Sequence, residues 1–128
     1  MVVNYNLKIR NKELNIKVKK CENLHSQIQG LMFRKHSPPL LFIFKKPKKI
    51  SIHSYFCKPF IAIWLLDNKI IDIKIVKPNT FSIKPKHKFN KLLEIPNNSN
   101  YFKEILRELW RTIFRRKIHQ SSSQKIIL

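Results

Sequence analysis

Two cysteines and two histidines carry the sharpest chemical spacing in the chain, as Cys21-x3-His25 and His53-x3-Cys57. Two thiolates and two imidazoles make up the tetrahedral donor set that zinc takes. A spacing of four puts Cys21 and His25 on one face of a helical turn, and His53 and Cys57 on one face of a strand. Zinc sites more usually pair their cysteines as Cys-x2-Cys, and the competing reading makes the cysteines small core residues and the histidines ordinary polar positions. His53 and Cys57 also offer a base and a nucleophile. No acidic residue close in sequence orients that pair, and the single glycine, Gly30, leaves few backbone nests for an oxyanion. The seven carboxylates (Glu13, Glu22, Asp67, Asp72, Glu94, Glu104 and Glu108) are scattered, most of them at expected turns or element ends. They assemble no acid–base pair, and no phosphate-binding glycine loop is present.

Anion binding is the other chemistry that the residue types suggest. Lys and Arg number 27 against 7 Asp and Glu, a net charge of +20. A field of that size draws in phosphates and speeds encounters with polyanions. Lys, Ile and Asn have AT-rich codons, so a biased genome would supply part of the lysine, but such bias does not account for the shortage of acids. Two clusters stand out. Lys45, Lys46, Lys48 and Lys49 surround Pro47, and Lys103, Arg107, Arg111 and Arg115 recur every four residues, with Arg116 beside them. Arginine presents a planar fork that takes phosphate oxygens in pairs, which favours a phosphate backbone as partner for the second cluster. Arg34 offers the same fork, or bonds loop carbonyls as a structural residue.

The elements that must position these groups are mainly β. Val3, Tyr5, Leu7 and Ile9 alternate with polar residues, as do Leu14, Ile16 and Val18 after a polar break, which predicts a hairpin with one buried face. Leu24 and Ile28 stand four apart before Gly30, which predicts a short helix over Cys21 to Gln29. Strands are expected at Leu40–Phe44, Ile50–Phe56, Ile61–Leu66 and Ile70–Val76, with shorter ones at Phe81–Ile83 and Leu92–Ile95. The lysine cluster is read as a solvated turn, and Asp67-Asn68 as a tight hairpin turn. Trp64 belongs to the core by its apolar neighbours. Short strands with regular turn signals point to a small barrel-like or sandwich domain over residues 1–97.

Phe102, Ile105, Leu106, Leu109, Trp110, Ile113 and Phe114 then repeat at helical spacing, giving an amphipathic helix over 98–119 with Asn98, Ser99 or Asn100 as cap and a frayed tail over 120–128. Its basic stripe suits three roles: contact with a nucleic-acid backbone, a membrane-surface helix, or a helix docked on its own core. No apolar run reaches the ~20 residues of a membrane span. The N-terminus lacks the apolar stretch of a secretory signal, so the chain reads as cytoplasmic with its cysteines as thiols.

The segment Gly30-Leu31-Met32-Phe33-Arg34 resembles the signature of the domain of unknown function 192 family. Other features fall in the order of that family: the apolar strand at Leu40–Phe44, then Ser51-Ile52-His53-Ser54-Tyr55-Phe56-Cys57 as in archaeal members. An apolar strand ending at Asp67, the Val76-Lys77-Pro78 exit and Leu93-Glu94-Ile95-Pro96 follow. The resemblance covers about Tyr5 to Pro96 and implies a mainly β domain of uncharacterised function. Phe60 and Ala62 stand where other members carry proline and aspartate. The expectation from all of this is a non-catalytic binding module for an anionic partner such as RNA. A metal or small-molecule site around Cys21, His25, His53 and Cys57, or a protein contact through the last helix, are the alternatives.

Overall fold

The computed structural model of the chain describes residues 2–22, 37–52, 57–80 and 82–119, with side chains as far as residue 112. The described residues form six strands and a helix: β1 (Val2–Ile9), β2 (Lys12–Cys21), β3 (Leu40–Lys48), β4 (Phe60–Leu66), β5 (Lys69–Val76), β6 (Phe89–Pro96) and α1 (Asn100–His119). They form one sheet in the order β1-β2-β3-β6-β4-β5, antiparallel except for β2 against β3. The sheet curls into a half-barrel that brings its two edge strands, β1 and β5, toward each other.

Local patterning explains most of the strands. β1 alternates because only one of its faces is buried, whereas β4 (Phe60-Ile61-Ala62-Ile63-Trp64-Leu65) is apolar throughout because both faces are covered. Ile61, Ile63 and Leu65 join Leu7, Ile16, Val18, Leu41, Leu93 and Ile95 on the face that α1 covers. Phe60, Ala62 and Trp64 join Cys21, Leu40, Phe42, Phe89 and Leu92 on the opposite face. The β4–β5 turn is the expected two-residue hairpin. Asp67 and Asn68 both take positive φ, 50° and 67°, a conformation that short Asp and Asn side chains tolerate.

Several expectations are corrected. Cys21 does not begin a helix; it ends β2, paired with Phe42 and buried. Three pairs with β3 extend that strand. The rest of the expected helix, with His25, Gly30 and Arg34, lies outside the described residues. The lysine cluster is no turn, since β3 runs on through Lys48 after a register shift between Ile43 and Lys48. β2 pairs with β3 only from Leu40 to Phe42, and Pro47 falls in the irregularity between Ile43 and Lys48 where no β6 residue is paired, a place that tolerates proline. The expected strands Ile50–Phe56 and Phe81–Ile83 contract to a single bridge between Ile52 and Ile83, with 53–56 and 81 outside the described residues.

α1 belongs to the same core as the sheet. Ser99 caps it, its Oγ accepting from the Tyr101 N–H at 3.2 Å. Ile105 is buried against the sheet, with Tyr101, Phe102, Leu106 and Leu109 packed around it. The Tyr101 hydroxyl accepts from the backbone N–H of Lys17 at 3.3 Å, and so satisfies part of β2 where β3 no longer reaches. Among the described residues no helix is long and apolar enough to cross a membrane.

Candidate anion-binding surface

Five elements converge at one end of the half-barrel, and the contacts between them fix where their cations lie. The β4–β5 turn is the hub. Asn68 Oδ1 accepts from the Tyr5 hydroxyl of β1 at 3.0 Å and from Lys91 Nζ of β6. Asp67 and Asn90 exchange two hydrogen bonds, each 3.1 Å. Lys91 also stands over the Tyr5 ring. Two residues before it, Phe89 pairs with Lys48 at the outer end of β3, on the side of the cluster opposite α1. Lys48 Nζ sits 5.4 Å from the Phe44 ring centroid, and Phe44 meets Phe89 edge to face.

On the other side of the hub, Lys8, Ile9 and Arg10 of the first hairpin face Asn68, Lys69, Ile70 and Ile73 across a groove of about 450 Å³ roofed by Leu109 and Thr112 of α1. Its floor is aliphatic and its rim cationic. Arg10 holds a φ of 55°. An unbranched non-glycine residue there costs roughly 1 kcal/mol, so the arginine sits at the hairpin tip under backbone strain.

The acids at this end are already engaged. Glu108, buried near the middle of α1, accepts from Arg111 at 3.2 Å and pairs with Lys12 at 3.3 Å, and Glu13 pairs with Lys8 at 3.7 Å. A buried carboxylate held by two cations leaves both of them anchored while their outer surfaces meet solvent. Lys103, Arg107 and Arg111 are exposed on the outward arc of α1, and Lys45, Lys46, Lys48 and Lys49 are exposed on β3 and just beyond it. Arg115 and Arg116 fall within α1, with side chains outside the description. The hollow at the start of α1 is different in kind, lined by Ser37, Pro38, Pro39, Asn98, Ser99, Asn100, Tyr101 and Glu104, with no Lys or Arg among them.

The cysteine–histidine set is only half visible. Cys21 and Cys57 pack into one apolar cluster on the face opposite α1, and His25 and His53 lie outside the described residues. Cys57 lies in a segment between strands, not on a strand face. Burial, with the nearby Glu94 adding to it, pushes the Cys57 thiol up to about 11. A thiol held protonated is a poor nucleophile. Among the described residues no three His, Cys, Asp or Glu side chains are grouped to hold a metal.

Two residues escape the sequence reading. Glu94 falls within the strand expected over Leu92–Ile95, but its place in the middle of the sheet, flanked by Leu40 of β3 and by Ala62, the chain's single alanine, on β4, was not foreseen. It is buried, no ion pair reaches it among the described residues, and desolvation pushes its carboxyl up to about 8. A lone acid within the apolar run Leu92-Leu93-Glu94-Ile95 was the available signal. Trp110 is the second. Helical spacing assigns it to the apolar face, yet it is 67% exposed.

Comparisons with known proteins place the fold without assigning a role. No known family profile matches the chain. Two solved structures share its architecture: a protein of unknown function from Novosphingobium aromaticivorans, with a TM-score of 0.68 at 16% identity, covering 76% of this chain and 74% of that one. The other is a candidate transcription regulator from Sinorhizobium meliloti, with a TM-score of 0.66 at 18% identity, covering 78% and 81%. At those identities the likeness speaks for the fold alone. In sequence the chain is 33% identical over 91 residues to UPF0127 protein PF1050 of Pyrococcus furiosus, a match spanning 68% of this chain and 78% of the relative. On that similarity the chain belongs to the UPF0127 family, whose described member is uncharacterised.

Proposed function

We propose that this protein is a non-catalytic cytoplasmic binding module for a polyanion, with RNA as the partner whose chemistry fits best, built on a domain of the unknown-function-192 type. The observation that carries the reading is the convergence of Lys8, Arg10, Lys12, Lys69, Lys91 and Arg111 at one end of the half-barrel, while Glu13 and Glu108 there are engaged in ion pairs. Cations scattered evenly would each meet a phosphate alone; gathered on one surface they release counterions together. Contacts of this kind read backbone and carry no sequence preference. The fold it shares with a candidate transcription regulator is compatible with a nucleic-acid partner.

The test is binding of a fluorescent RNA oligonucleotide across a salt series. If about five phosphates are neutralised on a single strand, log K falls against log salt with a slope of about −3.5. Replacing Lys8, Arg10, Lys12 and Lys69 by Ser makes that slope shallower. Affinity indifferent to ionic strength would overturn the reading.

A further inference from the structure

Trp110 is a large apolar ring left in water on a helix whose other described apolar side chains, Tyr101, Phe102, Ile105, Leu106 and Leu109, pack on the sheet. Ile105, Leu106 and Leu109 take the sheet, and the next residue, rotated about 100° around the axis, falls clear of it. On the outward arc Trp110 has Lys103 seven residues before it, Arg107 three before it and Arg111 beside it, all exposed. Successive cations of that stripe rise by about 6 Å along the axis.

An indole among guanidiniums offers two things at once: a flat π-face for an aromatic ligand and charge for the groups that flank it. We propose that Trp110 is a stacking platform for an unpaired nucleobase, with Arg107 and Arg111 taking the adjoining phosphates, so that the ligand of this surface is single-stranded RNA. This rests on the polyanion reading above and narrows it. A duplex base pair has both faces covered by its neighbours, so stacking on Trp110 selects single strands, whereas phosphate contact alone does not. A bilayer surface would need a continuous apolar face, and among the described side chains of α1 that face, Ile105 with Leu106 and Leu109, packs on the sheet. A second copy of the chain would bring together two bodies of net charge +20.

The chain has two tryptophans, and Trp64 is 0% exposed, so collisional quenching by acrylamide reports on Trp110. The probe is a single-stranded oligouridine, compared with a blunt RNA duplex of equal length and with phosphatidylglycerol vesicles. The expected result is loss of Trp110 emission and of acrylamide access with the single strand only. Trp110→Ala then weakens single-strand binding roughly tenfold, Trp110→Tyr restores most of it, and the salt slope stays the same. The substitution is at an exposed site, and an unchanged melting temperature verifies the fold. Salt-dependent binding equal for single strand and duplex, and unmoved by Trp110→Ala, would overturn the stacking role and leave the polyanion reading standing. Absence of any salt-dependent oligonucleotide binding overturns both, and quenching by vesicles alone reassigns the surface to lipid.

Discussion

Glu94→Gln should make this protein more stable, and increasingly so as pH rises. Glu94 is in the central row of the sheet between Leu40 and Ala62, and burial lifts its carboxyl from the ordinary 4.5 to about 8. A folded-state value above the unfolded one means that the native protein holds a proton that the unfolded chain releases. The stabilising effect of that proton is complete below about pH 4.5 and is lost as pH climbs toward 8. At about 1.4 kcal/mol per pH unit, the displacement of about 3.5 units amounts to about 5 kcal/mol once Glu94 is fully ionised, and to about 3 kcal/mol at pH 7. Gln matches the neutral carboxyl in shape and does not ionise, so the variant and the native chain should agree near pH 5. Urea unfolding at pH 5, 7 and 8.5 measures this directly: the native curve descends while the variant stays nearly level, with similar m-values. Because the Glu94 charge helps hold the Cys57 thiol at about 11, the variant should also react faster with a thiol reagent at pH 8.5. Parallel stability curves for the two proteins would refute the assignment of Glu94 as a buried, protonated carboxyl.

Further expectations follow from packing and strain. Ile105→Ala opens a cavity between α1 and the sheet and should cost about 2–5 kcal/mol in thermal or chemical denaturation; a loss below about 1 kcal/mol would mean that α1 is not part of the core. Arg10→Gly relieves the positive φ at the hairpin tip, so stability should hold or rise by up to about 1 kcal/mol while RNA affinity drops, a split between the two readouts that a purely structural arginine would not give. Replacing Lys12 and Arg111 together by Met leaves Glu108 buried without a cation, and should cost about 1–3 kcal/mol in urea unfolding, more than the two single changes combined.

Much of the fold was legible because it depends on neighbours in sequence. The first hairpin, the β4–β5 hairpin with its Asp67-Asn68 turn and the Ser99-capped helix each follow from period or turn chemistry within about twenty residues. The lysine run was misread as a turn because Lys-Pro-Lys reads as a turn wherever flanking strands are unknown; only the irregular pairing with β6 between Ile43 and Lys48 makes that stretch a place that tolerates Pro47. The candidate surface was partly legible. Charge picked out Lys103, Arg107 and Arg111, but not Lys8, Arg10, Lys12, Lys69 and Lys91, which are unremarkable until Asn68 and Glu108 tie their elements together.

By itself, the order of amino acids determined an abundance of positive charge, the period of each strand and the amphipathic helix, since composition and nearest-neighbour geometry need no partner. Tertiary structure alone decided the strand order β1-β2-β3-β6-β4-β5, the burial of Glu94 and the exposure of Trp110. The physical reason is the same in each case. Whether a side chain meets water depends on which distant segment lies over it, and the strands that enclose Glu94 are more than thirty residues away along the chain. Helical spacing tells which side chains share a face but not how wide a face the sheet can cover, and that width is what left an indole among arginines.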